Sequence, residues 1–182
     1  VVSAAAPVSD PRLRAAWEAA GRVPDPELPM LSLHDLGVLR DLAYEEDGTL
    51  VVSLTPTYSG CPAMAEMRAA TVRALNEAGF GAVRVRTVLD PPWTTDWMTE
   101  EGRAALAAHH IVPPGPALGP PSRRPVPLSL SPTRHAGGAA AVRCPQCGAD
   151  DAEELSRFSA TSCRSLHRCR ACGEPFERFK EI

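Results

Sequence analysis

Residues 50–79 read LVVSLTPTYSGCPAMAEMRAATVRALNEAG. Thr49–Thr55 is strand-like, the next few residues form a loop, and Pro62 suits the first turn of a helix. Met64, Met67, Ala70, Val72 and Leu75 then fall on one face of an amphipathic helix that Gly79 ends. Cys61 stands at the junction, between Gly60 and Pro62. Its thiol could be a nucleophile, a metal ligand, a redox group or a small buried hydrophobe. A thiol just before a helix N-terminus lies near the positive end of the macrodipole, which favours thiolate.

Upstream, Val38–Tyr44 is a second strand, joined to Thr49–Thr55 by a hairpin whose EEDG turn needs Gly48 at positive φ. Before it, Ser9 or Asp10 caps a helix with Pro11 in the first turn and Leu13, Ala16, Trp17 and Ala20 at helical spacing, stopped by Gly21. Three prolines in VPDPELPMLSLHDLGV forbid a regular helix or central strand there, leaving a helical turn around Ser32–Asp35 ended by Gly37. Downstream, Val83–Val88 alternates as a half-exposed strand, LDPPWTTDWM is a loop, and Thr99 caps the helix EEGRAALAAHH.

The class is therefore α+β: a small N-terminal domain over 9–112, with a short β-sheet packed by helices. Its two sheet edges need covering, so a homodimer is a plausible arrangement. Residues 113–141 read as a linker, with eight prolines between Pro113 and Pro132. The remainder, 142–182, reads as a four-cysteine zinc ribbon.

Cys144-x-x-Cys147-Gly and Cys169-x-x-Cys172-Gly are separated by 21 residues. Each turn sets two thiolates on one side of a tight loop, and two such knuckles complete a tetrahedral site expected to hold structural Zn²⁺, with rubredoxin-like iron or a redox dithiol as the alternatives. A module this short buries too little surface to fold alone, so metal supplies its folding free energy. Phe158, Phe176 and Phe179 are its expected core, and His167 an exposed strand residue. Cys163 packs near the metal, or serves as an alternative ligand or metal-transfer thiol.

Charge narrows the partners. The ribbon carries seven basic and seven acidic residues, and the whole chain has a net charge of −3. Neither nucleic acid nor an anionic membrane surface is expected to bind. Clustered CxxC cysteines without an export signal point to metal binding in a reducing cytoplasm.

Asp25, Glu27 and Asp35 put three carboxylates near one loop, suited to acid–base or hard-metal chemistry, or simply to turns and caps. His34, His109 and His110 fall in no motif that pairs them with Cys61 as a base, which disfavours a stand-alone enzyme. Trp93 and Trp97 are either a plug over the sheet or an exposed docking patch.

VPDPELPMLSLHDLGVLRDL followed by VVSLTPTYSGCPAMAEM resembles the domain of SufT-like iron–sulfur assembly proteins. DPPWTTDWMTEEGRAAL together with RCPQCGADDAEELSRFSATSCRSLHRCRACGEPFERFK resembles the PaaD (PaaJ) family, accessory proteins of the bacterial phenylacetate pathway. The resemblance implies an accessory, non-enzymatic maturation role for the multicomponent phenylacetyl-CoA epoxidase. It makes Cys61 the candidate iron or cluster-transfer thiol, supported by Asp25, Glu27 and Asp35, with a transient iron ion or iron–sulfur cluster as cargo. The implied partners are the oxygenase or reductase subunits, with Trp93 and Trp97 as contacts. The alternative is a non-catalytic docking subunit of the oxygenase.

Overall fold

The computed structural model describes residues 10–117 and 142–182; Ser9, the alternative cap, and residues 118–141 of the expected linker lie outside them. Helix α1 (Pro11–Gly21) starts as its sequence predicts, with the Asp10 carboxylate accepting from the Arg12 amide at 2.8 Å. Strands β1 (Leu39–Tyr44) and β2 (Leu50–Leu54) form the antiparallel hairpin, with Gly48 at φ +80° in its turn. Helix α2 (Met64–Glu77) carries the chain to β3 (Val83–Thr87), which pairs parallel to β2. All five residues of β2 are buried, so this central strand is covered on both faces. Helix α1 packs on α2 and β1, and α2 on β3.

After β3 the chain makes a 3-10 turn at Thr95–Trp97 and enters α3 (Glu100–Ala108), where Thr99 Oγ1 accepts from the Gly102 amide at 3.0 Å. The loop before α3 locks onto the loop before β1. Trp93 Nε1 donates to the Leu36 carbonyl at 2.8 Å, the Thr99 amide donates to the Asp35 carbonyl at 2.9 Å, and Thr99 Oγ1 donates to Asp35 Oδ1 at 3.2 Å. Gly37 makes this approach feasible. It sits at φ +66°, and a Cβ there would lie 2.3 Å from the Trp97 carbonyl oxygen. Gly37→Ala adds left-handed strain to a backbone clash. It should cost roughly 2–5 kcal/mol, read as a lowered denaturant midpoint at unchanged slope.

The ribbon is not a separate bead. Strand β4 (Ile111–Val112), which follows α3, pairs parallel with β7 (Pro175–Phe179). This extends the hairpin sheet of β5 (Ala152–Ser156), β6 (Arg164–Cys169) and β7 into the order β4-β7-β6-β5. Phe179 is fully buried in the core of the N-terminal region, with its ring centroid 6.0 Å from that of Trp93. At the chain end, the Ile182 carbonyl accepts from the Thr95 amide at 3.1 Å, and Glu181 Oε1 from the Gly115 amide at 2.9 Å.

Phe158, His167 and Phe179 depart from expectation, Phe179 because it joins the main core instead of the ribbon's own, while the two tryptophans fall unequally between plug and patch. Trp93 is 3% exposed and belongs to the core, so it offers no face to a partner. Trp97 is half-buried, with the Arg40 guanidinium 3.4 Å from its ring centroid, which leaves it a partial surface. Phe158 is no part of the ribbon core; it is 61% exposed, with Lys180 Nζ 4.3 Å above its ring. His167 is buried rather than exposed, stacked on Phe176 at 5.6 Å and hydrogen-bonded to Ser165 Oγ at 2.9 Å.

Candidate metal centre and the cysteine pocket

The two CxxC knuckles meet as their spacing predicts. The four sulfurs of Cys144, Cys147, Cys169 and Cys172 lie within 4.8 Å of one another, with Cys144–Cys172 at 3.8 Å and Cys147–Cys169 at 3.6 Å. A tetrahedral zinc with Zn–S bonds of about 2.3 Å needs sulfur–sulfur edges of about 3.8 Å, so the donor set fits that ion. Electrostatics suit a cation there. Burial opposes ionisation of Cys144, yet the amides of Cys147 and Gln146 outweigh it and bring the thiol down to about 7. At Cys172 the Glu174 amide favours thiolate, but burial and the neighbouring thiols win and push it up to about 12. Four thiolates this close repel one another unless a metal neutralises them.

Cys163 takes no part in that cluster. It is buried in the N-terminal core, where it lines one pocket with Asp25, Glu27, Tyr58, Cys61, Met67, Ser162 and Phe179. The pocket lies on the seam between the ribbon and the α+β core, and its cavity is about 20 Å³, room for one water- or ion-sized occupant.

Each wall has a local cause. Asp25 caps the turn after its own proline, its Oδ1 accepting from the amides of Glu27 at 2.8 Å and Leu28 at 2.7 Å. Burial nevertheless pushes its carboxyl up, against those two amides and the field of Arg164. Cys61 is half-buried, its amide donating to the Tyr58 carbonyl at 3.0 Å. Helix α2 starts three residues later at Met64, and the expected dipole activation of the thiol does not prevail. Burial first, and then the carboxylates of Glu27 and Asp25, push Cys61 above its ordinary value despite the Ala63 amide. Burial raises Cys163 in the same way. Without a cation the pocket holds neutral thiols; a cation reverses that balance by stabilising thiolate.

Asp35 stands apart. Its carboxylate accepts from the Ser32 amide at 2.9 Å, the Ser32 hydroxyl at 2.6 Å and the Thr99 hydroxyl at 3.2 Å. Its work is to fasten the loop before β1 to the start of α3, and these bonds outweigh burial and hold its carboxyl below the usual range. Of the residues proposed from sequence, the pocket therefore unites Cys61, Asp25 and Glu27, adds Cys163, and leaves out Asp35. Its uncharged walls, Thr57, Tyr58 and Ser162, carried no sequence signal of their own.

The architecture defines a two-part class of protein, an α+β domain with a thiol–carboxylate pocket joined to a ribbon whose four cysteines converge as metal ligands. Comparison with known proteins agrees. Residues 13–89 match the model of an iron–sulfur cluster assembly protein, and residues 129–180 that of the PaaD zinc beta ribbon domain. The chain is 37% identical over 177 residues to a protein of Escherichia coli (strain K12) named as a candidate 1,2-phenylacetyl-CoA epoxidase component, covering 97% of this chain and 98% of that one. It is also 34% identical over 84 residues to an Fe-S protein maturation auxiliary factor of Porphyromonas gingivalis (strain ATCC BAA-308 / W83), over 45% of this chain and 78% of the relative. A solved DUF59 domain from Bacillus anthracis aligns with a TM-score of 0.46 at 27% identity, covering 50% of this chain and 87% of that chain. The chain belongs to the PaaD family of the phenylacetyl-CoA epoxidase system.

Proposed function

We propose that this protein is a non-catalytic maturation factor. It carries iron or an iron–sulfur cluster to an oxygenase or reductase subunit of a phenylacetyl-CoA epoxidase, and its ribbon zinc is structural. The observation that carries this reading is the seam pocket, where Cys61 meets Asp25 and Glu27 at a cavity the size of one ion. Sulfur with carboxylate is a donor set for transition metals rather than for magnesium or calcium. Relatives named as Fe-S maturation factors and as an epoxidase component support the two halves of the proposal.

A recipient has a surface beside that pocket. Among the described residues five large apolar side chains are exposed, and four of them, Tyr58, Leu89, Phe158 and Ile182, border one groove of about 450 Å³. The groove shares Thr57, Tyr58 and Ser162 with the cysteine pocket, so a docked recipient would sit at the pocket mouth. The same groove would serve a purely structural docking subunit, which is the second reading.

Cys61→Ser separates them. Co-expressed with the epoxidase components, the variant should leave oxygenase iron, reductase cluster content and epoxidation at the level found without this protein, while itself staying folded and zinc-loaded. Full iron, cluster and activity with Cys61→Ser, together with stoichiometric co-purification, would establish the docking role instead.

A further inference from the structure

We propose that the open edge of β3 is a docking site for an extended segment of another protein, one that alternates apolar and acidic residues. The segment adds as a further strand beside β3. The site shares no lining residue with the seam pocket or the groove at its mouth, so it stands independently of the maturation reading.

In the sheet order β1-β2-β3 the last strand has one free side among the described residues. Its ladder to β2 begins with the Leu50 amide donating to the Ala82 carbonyl at 2.8 Å. It ends with the Val88 amide donating to the Leu54 carbonyl at 2.8 Å. A parallel ladder uses alternate residues of a strand, so Arg84 and Arg86 also bond to β2. Val83, Val85 and Thr87 therefore turn their N–H and C=O groups outward. Unpaired edge groups of this kind are a template for another strand.

Side-chain direction sets the partner's chemistry, because successive residues of a strand face opposite sides of the sheet. Val85 is buried and faces α2, where it closes a groove of about 530 Å³ with Ala65, Arg68, Ala69, Val72 and Arg73. An added strand lays every second side chain against these small residues, which suits apolar groups. Arg84 and Arg86 stand on the opposite face and are exposed. Arg84 pairs with Glu45, but Arg86 meets Ser53 Oγ at 2.8 Å and reaches no carboxylate among the described residues. The intervening side chains of the added strand lie beside these guanidinium groups, which suits carboxylates.

The same charges argue against a second copy of this chain. Antiparallel pairing of β3 with itself about a two-fold axis keeps like faces together, so Arg84 and Arg86 would oppose arginines. The strand, VRVRT, has no acidic residue to relieve that repulsion. An acidic partner strand converts it into attraction.

The test uses the full zinc-loaded chain and a short dye-labelled peptide of alternating valine and glutamate as the probe. Fluorescence anisotropy should show saturable binding with a Kd below about 1 mM, and a peptide with lysine in place of glutamate should not bind. Thr87→Pro deletes an outward amide and leaves the ladder to β2 intact. It should keep zinc and the thermal midpoint yet weaken binding by roughly tenfold. Arg86→Glu should exchange the preference, losing the acidic peptide and gaining the lysine peptide. No saturable binding, or binding of the acidic peptide that both variants leave unchanged, would overturn the proposal. So would a wild-type dimer that Thr87→Pro dissociates, which would assign the edge to a second copy. Slow amide exchange at Val85 and Thr87 in the free monomer would also sink it, by showing that another segment of this chain already covers the edge.

Discussion

Cys169→Ser, or withdrawal of zinc by chelation, should unfold the ribbon and destabilise the α+β core with it. Cys169 is fully buried and within 3.6 Å of Cys147, and serine supplies no thiolate to the metal. Without zinc the ribbon retains a small cluster of Val142, Cys144, Cys169 and Phe176, with Val112, Ala149 and Ala152 packed against it. That is too little to offset the order it requires, whereas a structural zinc contributes about 10–16 kcal/mol of folding free energy. Because β4 pairs with β7 and Phe179 fills the main core, loss of the ribbon also opens the N-terminal region. Amide exchange should become fast across β5–β7 and β4, and the thermal midpoint should fall by about 10 °C or more. Unchanged protection of β6 after complete zinc removal would show that the fold does not rest on the metal.

Local features of the fold were legible in the sequence because their causes are local. Gly48 and Gly79 take positive φ at the turn and helix end where glycine was required, Asp10 and Thr99 cap their helices, and CxxC-Gly turns aim paired thiols. What escaped were meetings between distant segments. β4 is two residues long and has no periodicity to detect, and its partner β7 lies beyond the proline-rich stretch. Cys163 reads as a spare ribbon thiol until the register of Arg164 against Phe179 brings it to the seam.

The acidic loop shows the same limit. Asp25, Glu27 and Asp35 look equivalent in sequence, yet three hydrogen bonds from Ser32 and Thr99 turn Asp35 into a fastener, while Asp25 and Glu27 line the pocket. Trp93 was ambiguous for a related reason: an indole seven residues before α3 faces inward where distant segments supply the Leu36 carbonyl for its N–H and the Phe179 ring for its face.

Phe179→Ala should separate ribbon folding from ribbon docking. Phe179 is the largest fully buried side chain among the described residues, tilted 51° against Trp93, and it forms part of the wall of the cysteine pocket. Truncating such a phenylalanine costs about 3–5 kcal/mol, because the rigid seam collapses only partly into the cavity. At about 2–4 °C per kcal/mol, the thermal midpoint should fall by roughly 6–20 °C. None of the four zinc thiolates touches this cavity, so zinc stoichiometry should stay at one per chain while the pocket wall that includes Cys163 loosens. Phe179→Leu, which refills most of the volume, should restore most of the midpoint. Loss of zinc in Phe179→Ala would mean that docking is a condition of ribbon folding rather than its consequence. Retention of zinc with a loosened seam would instead make the ribbon a metal-folded arm that the core captures, with this aromatic side chain as the main apolar anchor beside the β4–β7 pairing.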